Sequence, residues 1–406
     1  MNLEIDQSGS VDSVPAFRAS GTACGIKAGN LPDLGVILAD RPCAAAGVFT
    51  TNRLQAAPVL YCREVLAAEA ENIRAVVVNS GNANACTGSR GMDNARRTAQ
   101  LAEQTFAIEP SRALVMSTGI IGEQLPMDKL ASGLQELGST IDSGAEESFA
   151  AAIMTTDTVA KHLSLAFQLE DFPVTIGGAA KGSGMIHPDM ATMLAFFTTD
   201  AAISPPALAE ALRRVTGRSF NMISVDGDRS PNDSVFVLAN GASGAAKIED
   251  EDSPGFELFC TAFERIAVLL AKKIAADGEG ATKLVEISVS GAASFEDAAR
   301  VARAVANSPL VKTALYGQDP NWGRIVSAVG YSGVEVNPER LTVRFDGLAA
   351  FSAGEPSDTP DADLAAKLAG DEVLIEIELG MGGECCRFWT CDMTCNYIRI
   401  NADYHT

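Results

Sequence analysis

Residues Gly177 to Ala201 read GGAAKGSGMIHPDMATMLAFFTTDA, and the stretch changes character in its middle. Glycines and Pro188 keep the first half irregular, whereas from Thr192 the run TMLAFF is apolar and short enough for a buried strand. A flexible loop therefore meets a rigid element at Ala191–Thr192. A threonine hydroxyl is a weak nucleophile at its free pKa, but a threonine that becomes an amino terminus carries its own base, the α-amine. The small Ala191 leaves room for the hydroxyl to reach its carbonyl. Threonine also commonly opens buried strands, and residue type alone favours that plainer reading.

Outward from this junction, strand-like and helix-like segments alternate. Ile73 to Val78 is a short valine-rich run followed by the polar loop NSGNANACTGSRG. Asp93 is placed to cap a helix running to about Phe106, and Ala113 to Met116 returns as a strand ending in the turn STGIIG. From Phe256, apolar residues at 259, 260, 263, 267, 270 and 274 predict a helix with Lys272 and Lys273 in its last turn. LVEISVSG alternates Val285, Ile287 and Val289 on one face, Ser294 with Asp297 resembles a capping box, and VLIEIEL at Val373 to Leu379 reads as a further strand. Near the carboxyl end, Ile398 and Ile400 alternate with polar neighbours in YIRIN and predict a final strand delivering Asn401. DGDRSPND, Asp226 to Asp233, lacks the glycine and distal glutamate of a calcium loop and reads as a turn. The fold class expected is mixed α and β, a layered sandwich of sheets covered by helices.

Composition narrows the function. The 406 residues carry 52 acidic against 31 basic side chains, net −21, which disfavours a nucleic-acid backbone or an anionic membrane as partner and favours a small metabolite. The start of the chain lacks a secretion signal and no stretch is long and apolar enough for a membrane helix, so a cytoplasmic protein is expected. Nine cysteines without a framework read as reduced thiols. Cys385, Cys386, Cys391 and Cys395 lack paired C-x-x-C spacing, and the three histidines His162, His187 and His405 are too scattered for a local zinc site.

Several blocks then occur together and in order: STGIIGE, TTDT, KGSGMIHPDMATML, DGEGATK, LVKTALYGQDPNWGRI and the ending YIRINADYHT. This wording resembles the ornithine acetyltransferase family, also called the bifunctional glutamate N-acetyltransferase family of arginine biosynthesis. The resemblance runs from about residue 16 to residue 406. It implies an aminopeptidase-like, autoprocessed fold in which the chain is cut at Ala191–Thr192 into residues 1–191 and 192–406, and two copies of each piece form a heterotetramer. Thr192 would be both cleavage site and acetyl-accepting nucleophile, with Thr118 and Gly119 as the oxyanion hole. Substrate contacts would fall on Thr158, Lys181, Thr192, Glu279, Asn401 and Thr406. Lys181 suits the α-carboxylate and Glu279 the δ-ammonium of ornithine. No metal and no tightly bound cofactor is implied; N²-acetylornithine and glutamate are the substrates, and some members also take acetyl-CoA as donor.

The sequence departs from the usual wording at Arg229, Pro231 and Ala160 and in the cysteine-rich tail, and none of these removes an assigned group. Two rivals remain at this level: an autoprocessed amidase or aminopeptidase in which water resolves the acyl-enzyme, and a non-catalytic binding protein that keeps the fold. A cut before Thr192 predicts that intact-mass analysis and amino-terminal sequencing find a chain beginning TMLAFF, and that Thr192→Ala abolishes both the cut and transfer. Fully active protein recovered only at full length would contradict this.

Overall fold

The computed structural model describes residues 3–143, 147–187 and 193–403. The expected positions Ala191, Thr192 and Thr406, with His405, lie outside the described residues.

Two sheets organise the chain. The larger runs, strand by neighbouring strand, through Glu4–Asp6, Lys161–Leu169, Phe172–Lys181, Leu194–Thr199, Ser234–Ala239, Leu34–Phe49, Ile73–Asn82 and Ala113–Ile120, with Phe17–Thr22 also paired to Leu34–Phe49. The smaller orders Glu355–Pro356, Leu348–Ser352, Thr342–Phe345, Glu372–Glu378, Leu284–Ala292 and Glu384–Cys391. The strand opening just after Thr192, Leu194–Thr199, is buried at every position and lies at the middle of the larger sheet. It pairs antiparallel with Phe172–Lys181, Leu194 opposite Lys181, and parallel with Ser234–Ala239. The position between residues 191 and 192 thus falls between hydrogen-bonded neighbours, not between separate folding units.

The helix Phe256–Ala276 packs on Lys161–Leu169 and Phe172–Lys181 of the larger sheet and on Leu284–Ala292 and Glu384–Cys391 of the smaller. Its apolar stripe reaches both layers; Phe263 meets Phe197 edge-on at 4.9 Å between ring centroids, a favourable geometry for aromatic pairs. A second apolar cluster lies where helices Ala57–Ala68, Gly88–Thr105 and Met127–Thr140 cover the other strands. The chain therefore has the expected α/β layering of sheets covered by helices. Among the described residues no helix is long and apolar enough to cross a membrane.

Local readings mostly persist, with instructive exceptions. Val285, Ile287 and Val289 are fully buried on Leu284–Ala292, and Ser294 accepts the Asp297 amide at 3.1 Å to open the helix Phe295–Ala306. Asp93, by contrast, lies inside a helix beginning at Gly88. There Asn84 takes the starting role: it accepts the Thr87 hydroxyl at 2.8 Å and donates to the Gly91 carbonyl at 2.9 Å, so buried amides hold the first turn. The expected final strand is the helix Cys395–Asp403. Thr394, just before it, accepts the Asn396 amide at 3.1 Å and donates to the Gly280 carbonyl at 2.7 Å. With Ile398 exposed, the isoleucine alternation has no sheet face to fill.

Candidate active site

The strands Ile73–Asn82 and Ala113–Ile120 run parallel and bring Ser80 opposite Thr118 and Gly81 opposite Gly119. Gly119 has φ +133°, and a side chain there would overlap the backbone of Gly81 and Asn82. Only glycine permits this approach. Buried asparagines brace the turn. Ser117 donates to Asn79 at 2.6 Å, Asn79 to the Asn82 carbonyl at 2.8 Å, and Asn232 to the Ala83 and Ser117 carbonyls at 2.7 Å each.

Next to this turn lies a partly open cleft with a cavity volume of about 70 Å³. Thr118, Gly119, Lys181, Glu279 and Asn401 all line it, together with Thr155, Thr156, Ser230 and Asn232. Five expected site residues from four separate stretches are thereby gathered at one cavity. Thr158 is not among the lining residues. Its amide donates to Asp277 Oδ2 at 3.0 Å and its hydroxyl to Asp277 Oδ1, so within TTDT it is Thr155 and Thr156 that reach the cleft.

Lys181, 2 % exposed, ends the strand Phe172–Lys181 and donates from Nζ to Thr118 Oγ1 at 3.3 Å. With that oxygen accepting from lysine, the Thr118 hydroxyl hydrogen is free to point elsewhere, as an oxyanion donor requires. Burial pushes the Lys181 pKa down, and the Asp157 charge opposes the fall. Glu279 lies over Gly184, where a side chain would overlap its carboxylate. Asn401 donates from Nδ2 to Glu279 Oε2 at 2.8 Å and to the Tyr397 carbonyl, one helical turn back, at 3.0 Å. The helix, rather than a strand, is what aims Asn401 at the carboxylate.

A buried ion group ties these pieces together. Lys161 donates to Asp157 at 2.7 Å and to Asp277 at 2.5 Å. Asp157 also accepts the amides of Gly182 at 2.7 Å and Thr155 at 2.9 Å. Burial alone would raise the Asp157 pKa, but Lys181 and Lys161 more than offset it and hold the carboxyl at about 2.

The segment DGDRSPND does more than turn the chain. Asp226 accepts the amides of Met185 at 2.6 Å and Ile186 at 2.9 Å, and the Tyr397 hydroxyl at 3.3 Å. Asp233 accepts the Met193 amide at 2.8 Å. The two carboxylates therefore hold the chain on either side of residues 188–192. The only sequence signal was the density of acidic residues between two apolar runs, which a solvated turn shares. The cysteines Cys386 and Cys391 are buried and Cys385 and Cys395 exposed. His187 meets Asn307 at 3.4 Å, and His162 meets the Gly9 carbonyl at 2.8 Å.

Residues 18–406 match the ArgJ family. The arginine biosynthesis bifunctional protein ArgJ of Oceanobacillus iheyensis is 46% identical over 405 residues, covering 100% of this chain and 98% of that protein. The protein of the same description from Thermotoga neapolitana is 47% identical over 395 residues, covering 96% and 98%. The crystal structure of the arginine biosynthesis bifunctional protein from Bacillus halodurans aligns with a TM-score of 0.50 at 43% identity, covering 52% of this chain and 98% of that one.

Replacing Lys161 by methionine leaves the buried Asp157 and Asp277 carboxylates without their shared cation. The expected cost is on the order of 3–5 kcal/mol, the usual penalty for stranding a buried charge. Because the Asp157 pKa is depressed, its stabilisation is present above the ordinary carboxylate pKa and is lost as pH falls through about 2. K161M removes the Lys161 share of that contribution already at neutral pH and leaves that of Lys181. Urea denaturation at pH 7 and pH 4 checks this; an unchanged midpoint at pH 7 would show that the group is not structural.

Proposed function

Because the chain belongs to the ArgJ family and is an acetyltransferase of arginine biosynthesis, we propose that it moves the acetyl group of N²-acetylornithine to glutamate through an acetyl-Thr192 intermediate. The observation that carries this reading is the shared cavity of Thr118, Gly119, Lys181, Glu279 and Asn401, next to a strand whose first hydrogen-bonded residues follow Thr192. The Ala191–Thr192 bond is cut, giving residues 1–191 and 192–406. The Bacillus halodurans chain, spanned almost completely by 52% of this one, is of a length that supports such a division.

In the transfer, the free amine of Thr192 takes the hydroxyl proton and the hydroxyl attacks the acetyl carbonyl. The Thr118 hydroxyl and Gly119 amide stabilise the oxyanion. Ornithine leaves with a proton from the amine, and the α-amine of glutamate then attacks the acetyl ester. Lys181 meets the substrate α-carboxylate, Glu279 the δ-ammonium, and Asn401 fixes the Glu279 carboxylate by its 2.8 Å hydrogen bond. Thr158 contributes through the Asp277 contact that shapes its loop, and Thr406 supplies a polar contact from the carboxyl end. The proposed transfer calls on no metal or tightly bound cofactor. The matured enzyme is a heterotetramer of two of each chain in the cytoplasm.

Product analysis with and without glutamate separates transfer from hydrolysis: acetylglutamate forms only with glutamate, and rapid release of acetate in its absence would favour an amidase. Glu279→Gln removes the charge that selects ornithine. The expected loss in kcat/KM for acetylornithine is on the order of 2–5 kcal/mol of transition-state stabilisation. Unchanged kinetics would remove Glu279 from the donor site.

A further inference from the structure

Asp233 is fully buried, and its two carboxyl oxygens are used unequally. Oδ1 accepts the Met193 amide at 2.8 Å. Oδ2 is buried and has no hydrogen-bond partner among the described residues. The residue is fixed from its backbone as well: its carbonyl accepts the Thr50 amide at 2.9 Å, and the next amide, of Ser234, donates to the Met193 carbonyl at 3.2 Å. Burial pushes this carboxyl well above the usual carboxylate range, and the Met193 amide and Lys181 charge recover only part of the shift. A buried acceptor left unmade costs on the order of 1–3 kcal/mol, so an orphan in this position calls for an explanation.

Chain geometry supplies one. The nitrogens of Thr192 and Met193 are successive backbone nitrogens, separated by three covalent bonds and so by less than about 4 Å. A carboxylate that already holds the second has its other oxygen within reach of the first. We infer that Asp233 is a positioning residue for the new amino terminus, its Oδ2 accepting an N–H of the Thr192 α-amine once the Ala191–Thr192 bond is cut. This rests on the reading of Thr192 as an amine-activated nucleophile.

The balance of the steps explains why the acceptor is free beforehand. In the cut, the Thr192 Oγ–carbonyl carbon bond forms, the carbon–nitrogen bond breaks, and the hydroxyl proton ends on the departing nitrogen. Water then opens the ester, which restores the hydroxyl and leaves a carboxylate on Ala191 and an ammonium on Thr192. An amide nitrogen carries one hydrogen; the ammonium carries three and needs new acceptors. After the ammonium loses a proton to solvent, one N–H held on Oδ2 leaves the nitrogen lone pair to turn toward the threonine hydroxyl, the geometry a base needs. Among the described residues Lys181 is the charge that acts on Asp233, and Lys181 itself lies within the fields of Asp157, Lys161 and Glu279.

Asp233→Asn keeps an acceptor for Met193 but loses the carboxylate. The cleaved fraction of D233N, with a melting temperature near wild type, is expected to keep its KM for acetylornithine while kcat falls on the order of tenfold or more. The acidic limb of its kcat/KM profile moves to lower pH, because a carboxylate no longer favours the ammonium form. Asp233→Glu, which keeps both oxygens on a longer arm, holds the limb near wild type; if D233N fails to fold or to mature, the Thr192 α-amine of cleaved wild type is titrated by NMR with isotope-labelled threonine and is expected above a free α-amine, as a neighbouring carboxylate requires. Wild-type kcat and an unmoved acidic limb in cleaved D233N, or, where D233N yields no cleaved protein, a wild-type Thr192 amine that titrates no higher than a free α-amine, would overturn the inference. An active wild type never cut before Thr192 would instead overturn the underlying reading, whatever Asp233 does.

Discussion

Lys161, buried between Asp157 and Asp277, is the contact on which the site's assembly depends. A buried ion pair gains little net stability over a well-packed apolar substitute, because desolvation consumes most of the Coulombic return. What this one supplies is placement. Through Asp157 it reaches the Thr155 and Gly182 amides, and through Asp277 it reaches Thr158 and, at the carbonyl, the Ser183 hydroxyl at 2.6 Å. Glu279 follows directly, its amide bonded to the Ser183 carbonyl at 3.0 Å. Three segments far apart in sequence, TTDT, KGSG and DGEG, are thereby locked into one relative position.

The larger sheet supplies the complementary constraint. Residues before and after position 191 alternate across it, with Leu34–Phe49 paired to Ser234–Ala239 and Phe172–Lys181 to Leu194–Thr199. A cut between 191 and 192 therefore breaks one covalent bond while the ladders and the apolar core on both sides persist. The Thr118–Gly119 turn precedes position 191 and Glu279 follows it, and both line the one cavity, so the cavity is built by segments from either side of that position. The proposed chemistry at a new terminus would need this rigidity, since a misplacement of about 1 Å can cost about a hundredfold in rate.

The sequence made the regular elements legible wherever one face is buried and one is not. The alternation at Val285, Ile287 and Val289, the stripe on Phe256–Ala276 and the Ser294 cap were all readable because local pattern and tertiary environment agree. Reading failed where a tertiary partner decides. YIRIN has strand-like alternation, yet Thr394 and the close packing against Gly280 start a helix. Asp93 looked like a cap, but the buried Asn84 begins that helix earlier. The gathering of Thr118, Gly119, Lys181, Glu279 and Asn401 was implied by family wording, not by spacing. The roles of Asp226 and Asp233 were invisible because acidic residues in a glycine- and proline-containing segment look the same whether they face water or hold backbone amides.

In the proposed mechanism, acetyl transfer passes through a covalent intermediate on Thr192 after the cut. Rapid mixing of the purified enzyme with N²-acetylornithine in the absence of glutamate, followed by acid quench and intact-mass analysis, measures it directly. The account predicts that the chain beginning at Thr192 gains one acetyl group, that peptide mapping places it on that threonine, and that glutamate removes it as acetylglutamate appears. Turnover at full rate with no acetylated chain at any time, or an acetyl group on another residue that is chemically competent, would contradict it.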